Sequence, residues 1–359
     1  MFSAKRCAFY GTLLLIMVFT FEVTSAYLLY RYYAHKRSSF FPEGAAIGFV
    51  IKKALHLDPA AASFSADRLP IFRPDTALGY TTNPGTYRII ETTTRGKHAF
   101  RLTVPAAGVR ATSYRSTAAS RRLYIIGDSS VWGFGLDDEM TAPWLLQTRL
   151  LGYQVINMAL TGYSNVQGLL QYRAISSELR PDDIVLFFVG ETSYLRNVAH
   201  PSWISKLSHG FEMSLSDKND FQTLQIPFGA LTNQGELNIS YTPIVCMSHE
   251  RGCARAPLGD EEMHVITTKI FEEIVHNQKC HILVAFLSDN INDPTVAFLR
   301  SSGVPTVNLR IAKGEPDAED YLPEDSHPGA FTDYRYYEVL LDALLKNRML
   351  GADASANGR

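Results

Sequence analysis

Two short segments of the 359-residue chain carry groups able to do covalent chemistry. Gly127-Asp128-Ser129-Ser130-Val131-Trp132-Gly133 follows the apolar run Leu123–Ile126, so Ser129 stands directly after a strand end. A serine hydroxyl is a weak nucleophile until a base takes its proton. The base candidate is His327, in Glu324-Asp325-Ser326-His327-Pro328. A carboxylate two or three residues before a histidine can bond one ring nitrogen, fix the tautomer and leave the other nitrogen for the serine. Competing chemistries lack their motifs: the chain has no Gly-x-Ser-x-Gly elbow, no Ser-x-x-Lys, no His-Glu-x-x-His and no Walker A loop. Cys246-x-x-His249-x-x-x-Cys253 has metal-ligand residue types but no fourth ligand nearby, so a disulfide or two free thiols is the simpler reading. The plainer alternative for Ser129 is a helix cap or a phosphate-binding loop.

These groups need elements to position them. Apolar runs of strand length recur at Leu123–Ile126, Val155–Met158, Ile184–Val189, Ile282–Leu287 and Val304–Leu309. Helix-period stretches lie between and after them, at Thr141–Leu151, Asn165–Leu179, Glu261–His276, Pro294–Ser301 and Thr332–Leu345. Strands that are apolar throughout, alternating with helices, predict a parallel sheet covered on both faces. Ligands then bind beyond the carboxyl ends of the strands, here after Ile126, Met158 and Val189. Upstream, Tyr87–Ile90, Phe100–Val104 and Val109–Tyr114 are short β-type runs separated by turn chemistry at Asn83-Pro84-Gly85, Arg95-Gly96-Lys97 and Pro105–Gly108.

The organisation expected is an apolar anchor over residues 1–37, a linker and small β-rich unit over 38–120, an α/β domain over 121–347, and a disordered tail over 348–359. Residues 197–257 interrupt the α/β pattern and read as an insertion beside the site, a cap or substrate-recognition region. A composition of 46% hydrophobic and 19% charged residues is that of a globular protein, and a formal net charge of −2 gives no footprint for nucleic acid. Ala8–Tyr30 carries Glu22 as its only charge and, as a helix, spans roughly 34 Å, enough to cross a bilayer as a single N-terminal transmembrane helix. A cleaved signal peptide ending near Thr24-Ser25-Ala26 is the rival reading. Lys5 and Arg6 before the segment and Arg31, Lys36 and Arg37 after it leave the orientation open. A small loop closed by Cys246 and Cys253 would suit a periplasmic or other extracytoplasmic domain.

The motifs together resemble the SGNH (GDSL-type) hydrolases over roughly residues 121–347. Block I is Gly127-Asp128-Ser129, followed by Gly133 and Gly135-Leu136-Asp137. Block II resembles Asn157-Met158-Ala159-Leu160-Thr161-Gly162, and block V resembles Asp325-Ser326-His327-Pro328. Arg73-Pro74-Asp75, Leu78-Gly79-Tyr80 and Asn83-Pro84-Gly85 resemble the leader of membrane-attached bacterial members. The resemblance implies a three-layer α/β, flavodoxin-like fold with a parallel sheet, and a Ser129–His327–Asp325 triad, with Glu324 as the alternative acid. It implies an oxyanion hole from the Ser129 and Gly162 N–H groups and a block III asparagine, and no metal or cofactor. The chain departs at block III, which reads Val189-Gly190-Glu191-Thr192-Ser193. Thr192 could donate in place of the asparagine; an ionised Glu191 would repel an oxyanion. The implied activity is hydrolysis of acyl esters, with a cell-surface glycan or lipid ester as substrate. An O-acyltransferase with the same triad, and a non-catalytic binding protein on the same fold, are the alternatives.

Overall fold

The computed structural model describes residues 19–20, 24, 63–67, 70–93, 96–114, 119–190, 192–201, 203–204, 207, 224–244, 259–287, 293–310 and 327–350. The chain divides into two compact units, Met1–Ala61 and Ala62–Arg359, and every element named here belongs to the second. The expected membrane segment falls outside the described residues except for Phe19, Thr20 and Thr24. Among the described residues no helix is long and apolar enough to cross a membrane.

The β-rich unit comes first. Strands β1 (Ser63–Ala66), β4 (Gly85–Thr93) and β5 (Gly96–Val104) form an antiparallel sheet in the order β1-β4-β5, and β2 (Phe72–Asp75) pairs with β3 (Gly79–Thr82). Strand β1 lies upstream of the β-type runs read from the sequence, because four residues leave too short a pattern to distinguish. The expected strand at Val109–Tyr114 is not one. Its main chain makes only isolated bridges, Ala106 to Val109 and Arg110 to Asn157. Arg110 turns its side chain into the core instead of alternating outward, and is 1% exposed.

The central sheet holds β6 (Arg121–Ile126), β7 (Tyr153–Asn157), β8 (Ile184–Val189), β11 (His281–Phe286) and β12 (Thr306–Asn308). All neighbours are parallel and the order is β12-β11-β8-β6-β7. Taken by order along the chain, that is 2-1-3-4-5, the flavodoxin-like doubly wound arrangement. Every residue of β8 is buried, as a strand covered on both faces must be. Alternate side chains of the sheet enter two cores. Leu123, Ile125, Leu186 and Phe188 pack with helices α2 (Ala142–Arg149) and α7 (Ala330–Lys346) and with the β-rich unit. Tyr124, Ile126, Val185 and Phe187 pack with α3 (Asn165–Ile175), α5 (Asp260–His276) and α6 (Pro294–Ser301). The result is three layers. Because Tyr80, Tyr87 and Phe100 share the first core with Leu123 and Val131, the change at residue 120 is one of secondary structure within a common core.

Local sequence sets the helix starts. Ser164 and Gln167 form a capping box at α3. Asp293 caps α6 ahead of Pro294. Strand β7 lies at the sheet edge, where the Gln147 side-chain amide donates to the Tyr153 carbonyl and accepts from the Val155 N–H at 2.9 and 2.8 Å. It stands in for a further strand and blunts the edge. Within the insertion, β9 (Gln225–Leu231) and β10 (Leu237–Pro243) form an antiparallel hairpin. Pro227 and Gly229 inside β9 mask its strand pattern in the sequence.

Candidate active site

In a 2-1-3-4-5 sheet the ligand crevice opens where the winding reverses, beyond the carboxyl ends of the first and third strands. Here those are β6 and β8, followed by Gly127-Asp128-Ser129 and by Gly190–Ser193. Ser129 opens the one-turn helix α1 (Ser129–Trp132) and is 4% exposed. Asp128 caps that turn, its carboxylate accepting from the Ser130 N–H at 2.9 Å. A Cβ on Gly127 would meet Phe188 Cβ at 2.6 Å and Val131 Cγ1 at 2.7 Å, so the loop packs against β8 only because that position is glycine. Gly133 ends α1 with φ of 82°, the left-handed conformation that favours glycine.

A buried arginine holds the turn that follows. Arg110 Nη1 donates to the Trp132 and Gly133 carbonyls at 2.9 and 2.6 Å, and Nη2 donates to Leu136 at 2.6 Å. Its Nε pairs with Asp138 at 3.0 Å, with neither side chain exposed. Burial lowers the guanidinium below its usual value, and Asp138 opposes that shift. The turn carries Phe134, whose N–H donates to the Ser129 carbonyl at 3.1 Å. The Phe134 ring lies 4.8 Å, centroid to centroid, from the ring of His327. His327 is half-buried and precedes α7. Phe134 thus brings the neighbourhoods of the candidate nucleophile and base together. Asp325 and Glu324 lie outside the described residues.

The loop after β7 joins the first through the Leu160 N–H, which donates to the Gly127 carbonyl at 3.1 Å. Asn157 is fully buried and bonds within the loops: its Oδ1 accepts from Ala159 at 3.2 Å. Gly162 follows with φ of 77°, and a Cβ there would stand 2.6 Å from Tyr80 Oη. That hydroxyl donates to the Thr161 carbonyl at 2.7 Å, and Tyr163 Oη donates to the Tyr80 carbonyl at 2.6 Å. Gly162→Ala therefore combines left-handed strain of about 1–2 kcal/mol with a displaced hydrogen bond worth about 1 kcal/mol. The expected result is a loss of roughly 2–3 kcal/mol of stability in urea unfolding; an unchanged midpoint would contradict this packing.

After β8, Gly190 donates its N–H to Ser193 Oγ at 2.9 Å. Glu191 lies outside the described residues, and Thr192 is exposed. Helix α4 (Ser193–Arg196) supplies a residue that the sequence did not single out. Arg196 Nη1 pairs with Asp128 Oδ2 at 2.8 Å, and its guanidinium lies 4.6 Å from the Trp203 ring centroid. Arg110, Asp138 and Arg196 carry no recognisable spacing, since Asp128 and Arg196 are 68 residues apart. Among the described residues no group of His, Cys, Asp or Glu could hold a metal, and Cys246, His249 and Cys253 lie outside them. A groove of about 760 Å³ between the β9–β10 turn, α5 and α6, lined by Leu237, Lys269, Glu272, His276 and Phe298, contains none of the candidate residues.

Another buried carboxyl lies in α7. Asp333 accepts from the Ala142 N–H at 3.0 Å, which caps α2 from outside that helix. Burial pushes its pKa up to about 7. The unfolded value is about 4, so between about pH 4 and pH 7 the folded state binds the proton more tightly. Stability from this group is present at the acid end of that window and is lost as pH rises through 7. The unfolding free energy from urea titrations should fall from pH 5 to pH 8 by an amount on the order of a few kcal/mol, and Asp333→Asn should flatten that slope. An equal slope in the variant would contradict the assignment.

The sheet order and the loops at its switch point define a doubly wound, flavodoxin-like α/β protein. Several solved structures are similar to this chain. TesA shares 15% identity at a TM-score of 0.38, over 64% of this chain and 99% of its own. A lipolytic protein of the G-D-S-L family from Veillonella parvula shares 9% at a TM-score of 0.37, over 63% and 97%. A catalytic mutant of Axe2, an acetylxylan esterase from Geobacillus stearothermophilus, shares 14% at a TM-score of 0.34, over 63% and 94%. No protein-family profile and no curated protein matches the chain. The fold assignment rests on the strand order itself.

Proposed function

We propose that the chain is an SGNH (GDSL-type) serine hydrolase acting on acyl esters. The observation that carries the reading is the meeting of the Ser129 turn with His327 through Phe134, at the switch point of the sheet. In this reading Ser129 Oγ attacks the ester carbonyl while His327 takes the hydroxyl proton. The tetrahedral oxyanion is held by the N–H groups of Ser129 and Gly162, with Thr192 or Glu191 beside it. Collapse expels the alcohol, which leaves with the proton from His327, and an acyl-Ser129 remains. Water, deprotonated by the same imidazole, then releases the acid and restores the serine. Asp325, or Glu324, orients the histidine. The apolar segment within residues 1–37 supports an anchored domain, and a loop closed by Cys246 and Cys253 would suit an extracytoplasmic one, which in turn favours a glycan or lipid ester as substrate.

The test is the full chain assayed on a short-chain p-nitrophenyl ester, with product analysis when a glycan acceptor is added. Release of free acid whether or not the acceptor is present supports a hydrolase. Acyl transfer to the glycan in preference to water supports an O-acyltransferase. An inert wild-type chain would contradict both.

A further inference from the structure

The departure at block III leaves open what ties the loop after β8 to the nucleophile. Arg196 is placed to do so. Its Nη1 donates to Asp128 Oδ2 at 2.8 Å and reaches the Tyr163 carbonyl at 3.4 Å. Asp128 follows β6, Tyr163 follows β7 and Arg196 follows β8, so one guanidinium spans three loops. The pair is enclosed, with side-chain exposure of 12% for Arg196 and 5% for Asp128. The Trp203 ring lies against the guanidinium, 4.6 Å from its carbon to the ring centroid. Gly190 completes the contact, since a Cβ there would lie 3.0 Å from Asp128 Oδ2.

The electrostatic consequence concerns the neighbouring residue. Asp128 adjoins Ser129, the group on which negative charge develops as an ester is attacked. A buried carboxylate without a partner at that place opposes the developing charge, and low dielectric strengthens the opposition. We infer that Arg196 is a positioning residue that cancels the charge of Asp128 beside Ser129 and fixes the three loops around it. This inference rests on the hydrolase reading for its effect on rate, and on geometry alone for the pairing.

The experiment is a double-mutant cycle in the full chain on a p-nitrophenyl ester. Arg196→Met keeps an apolar stem over Trp203 and removes the charge. It is expected to lower kcat about 100-fold with KM changed less than about threefold. Asp128→Asn preserves the acceptor for the Ser130 N–H and removes the opposing charge. Added to Arg196→Met, it is expected to bring kcat back to within about tenfold of wild type. A purely structural role predicts the reverse, a double variant as slow as the single one or slower, and that result would overturn the inference. Arg196→Lys guards against loss of folding: it keeps the charge and should stay within about tenfold of wild type, whereas a lysine variant as slow as Arg196→Met counts against the inference. The same cycle read in urea midpoints needs no activity. There, at least half of the midpoint lost in Arg196→Met should return in the double variant; additive losses overturn the pairing. A wild-type chain inert on esters would contradict the hydrolase reading alone, and the urea cycle would still decide whether Arg196 neutralises Asp128.

Discussion

Ser129→Ala and His327→Ala are each expected to lower kcat on a short-chain ester by about 10⁴-fold or more, with the double variant little slower than either single one. The serine and histidine act as one device. Without the base the hydroxyl is not activated, and without the hydroxyl the base has nothing to deprotonate. Their effects therefore fail to add. The residual rate belongs to backbone donors and binding, which neither substitution removes. Urea midpoints measured on the same variants distinguish loss of chemistry from loss of structure. Additive losses would mean that the two residues act separately, and the triad would be the wrong description.

The largest effect on stability is expected at Arg110. Arg110→Met removes five donors from the core and leaves Asp138 buried and unpaired. Breaking a fully buried ion pair by removing one partner costs about 3–5 kcal/mol. The carbonyls of Trp132, Gly133 and Leu136 lose their donor as well. Arg110→Lys should recover little, because an ammonium cannot serve those carbonyls and Asp138 from one planar fork. Asp138→Asn together with Arg110→Met should be less damaging than Arg110→Met alone, since no unpaired charge then remains. Chemical unfolding followed by circular dichroism checks all three. If Arg110→Met unfolded at the wild-type midpoint, the turn after Ser129 would not depend on it.

The sheet was legible because its central strand is buried on both faces and helices α3 and α6 start at side-chain caps. The runs at Ile184–Val189 and Pro294–Ser301 match β8 and α6 without adjustment. The hairpin β9–β10 was hidden, since a two-stranded ribbon with proline and glycine in one strand has no uniform alternation. Val109–Tyr114 has a strand composition, yet Arg110 is drawn inward by carbonyls that the sequence cannot reveal as neighbours. In the candidate site, Ser129 stands out by type and by its place after a strand, and His327 by type and by its place before the last helix. Arg196 does not, because its meaning lies in a contact across 68 positions made by a short helix. Asp333 was likewise silent, since a carboxyl in a helical run looks like any solvated position until burial is known.

The most direct test of the central claim is covalent labelling. A fluorophosphonate offered to the full chain should form one adduct, and peptide mass spectrometry should place it on Ser129. The label should be absent from Ser129→Ala and much slower to form in His327→Ala. An unlabelled wild-type chain, or an adduct on any other residue with Ser129 intact, would contradict the account.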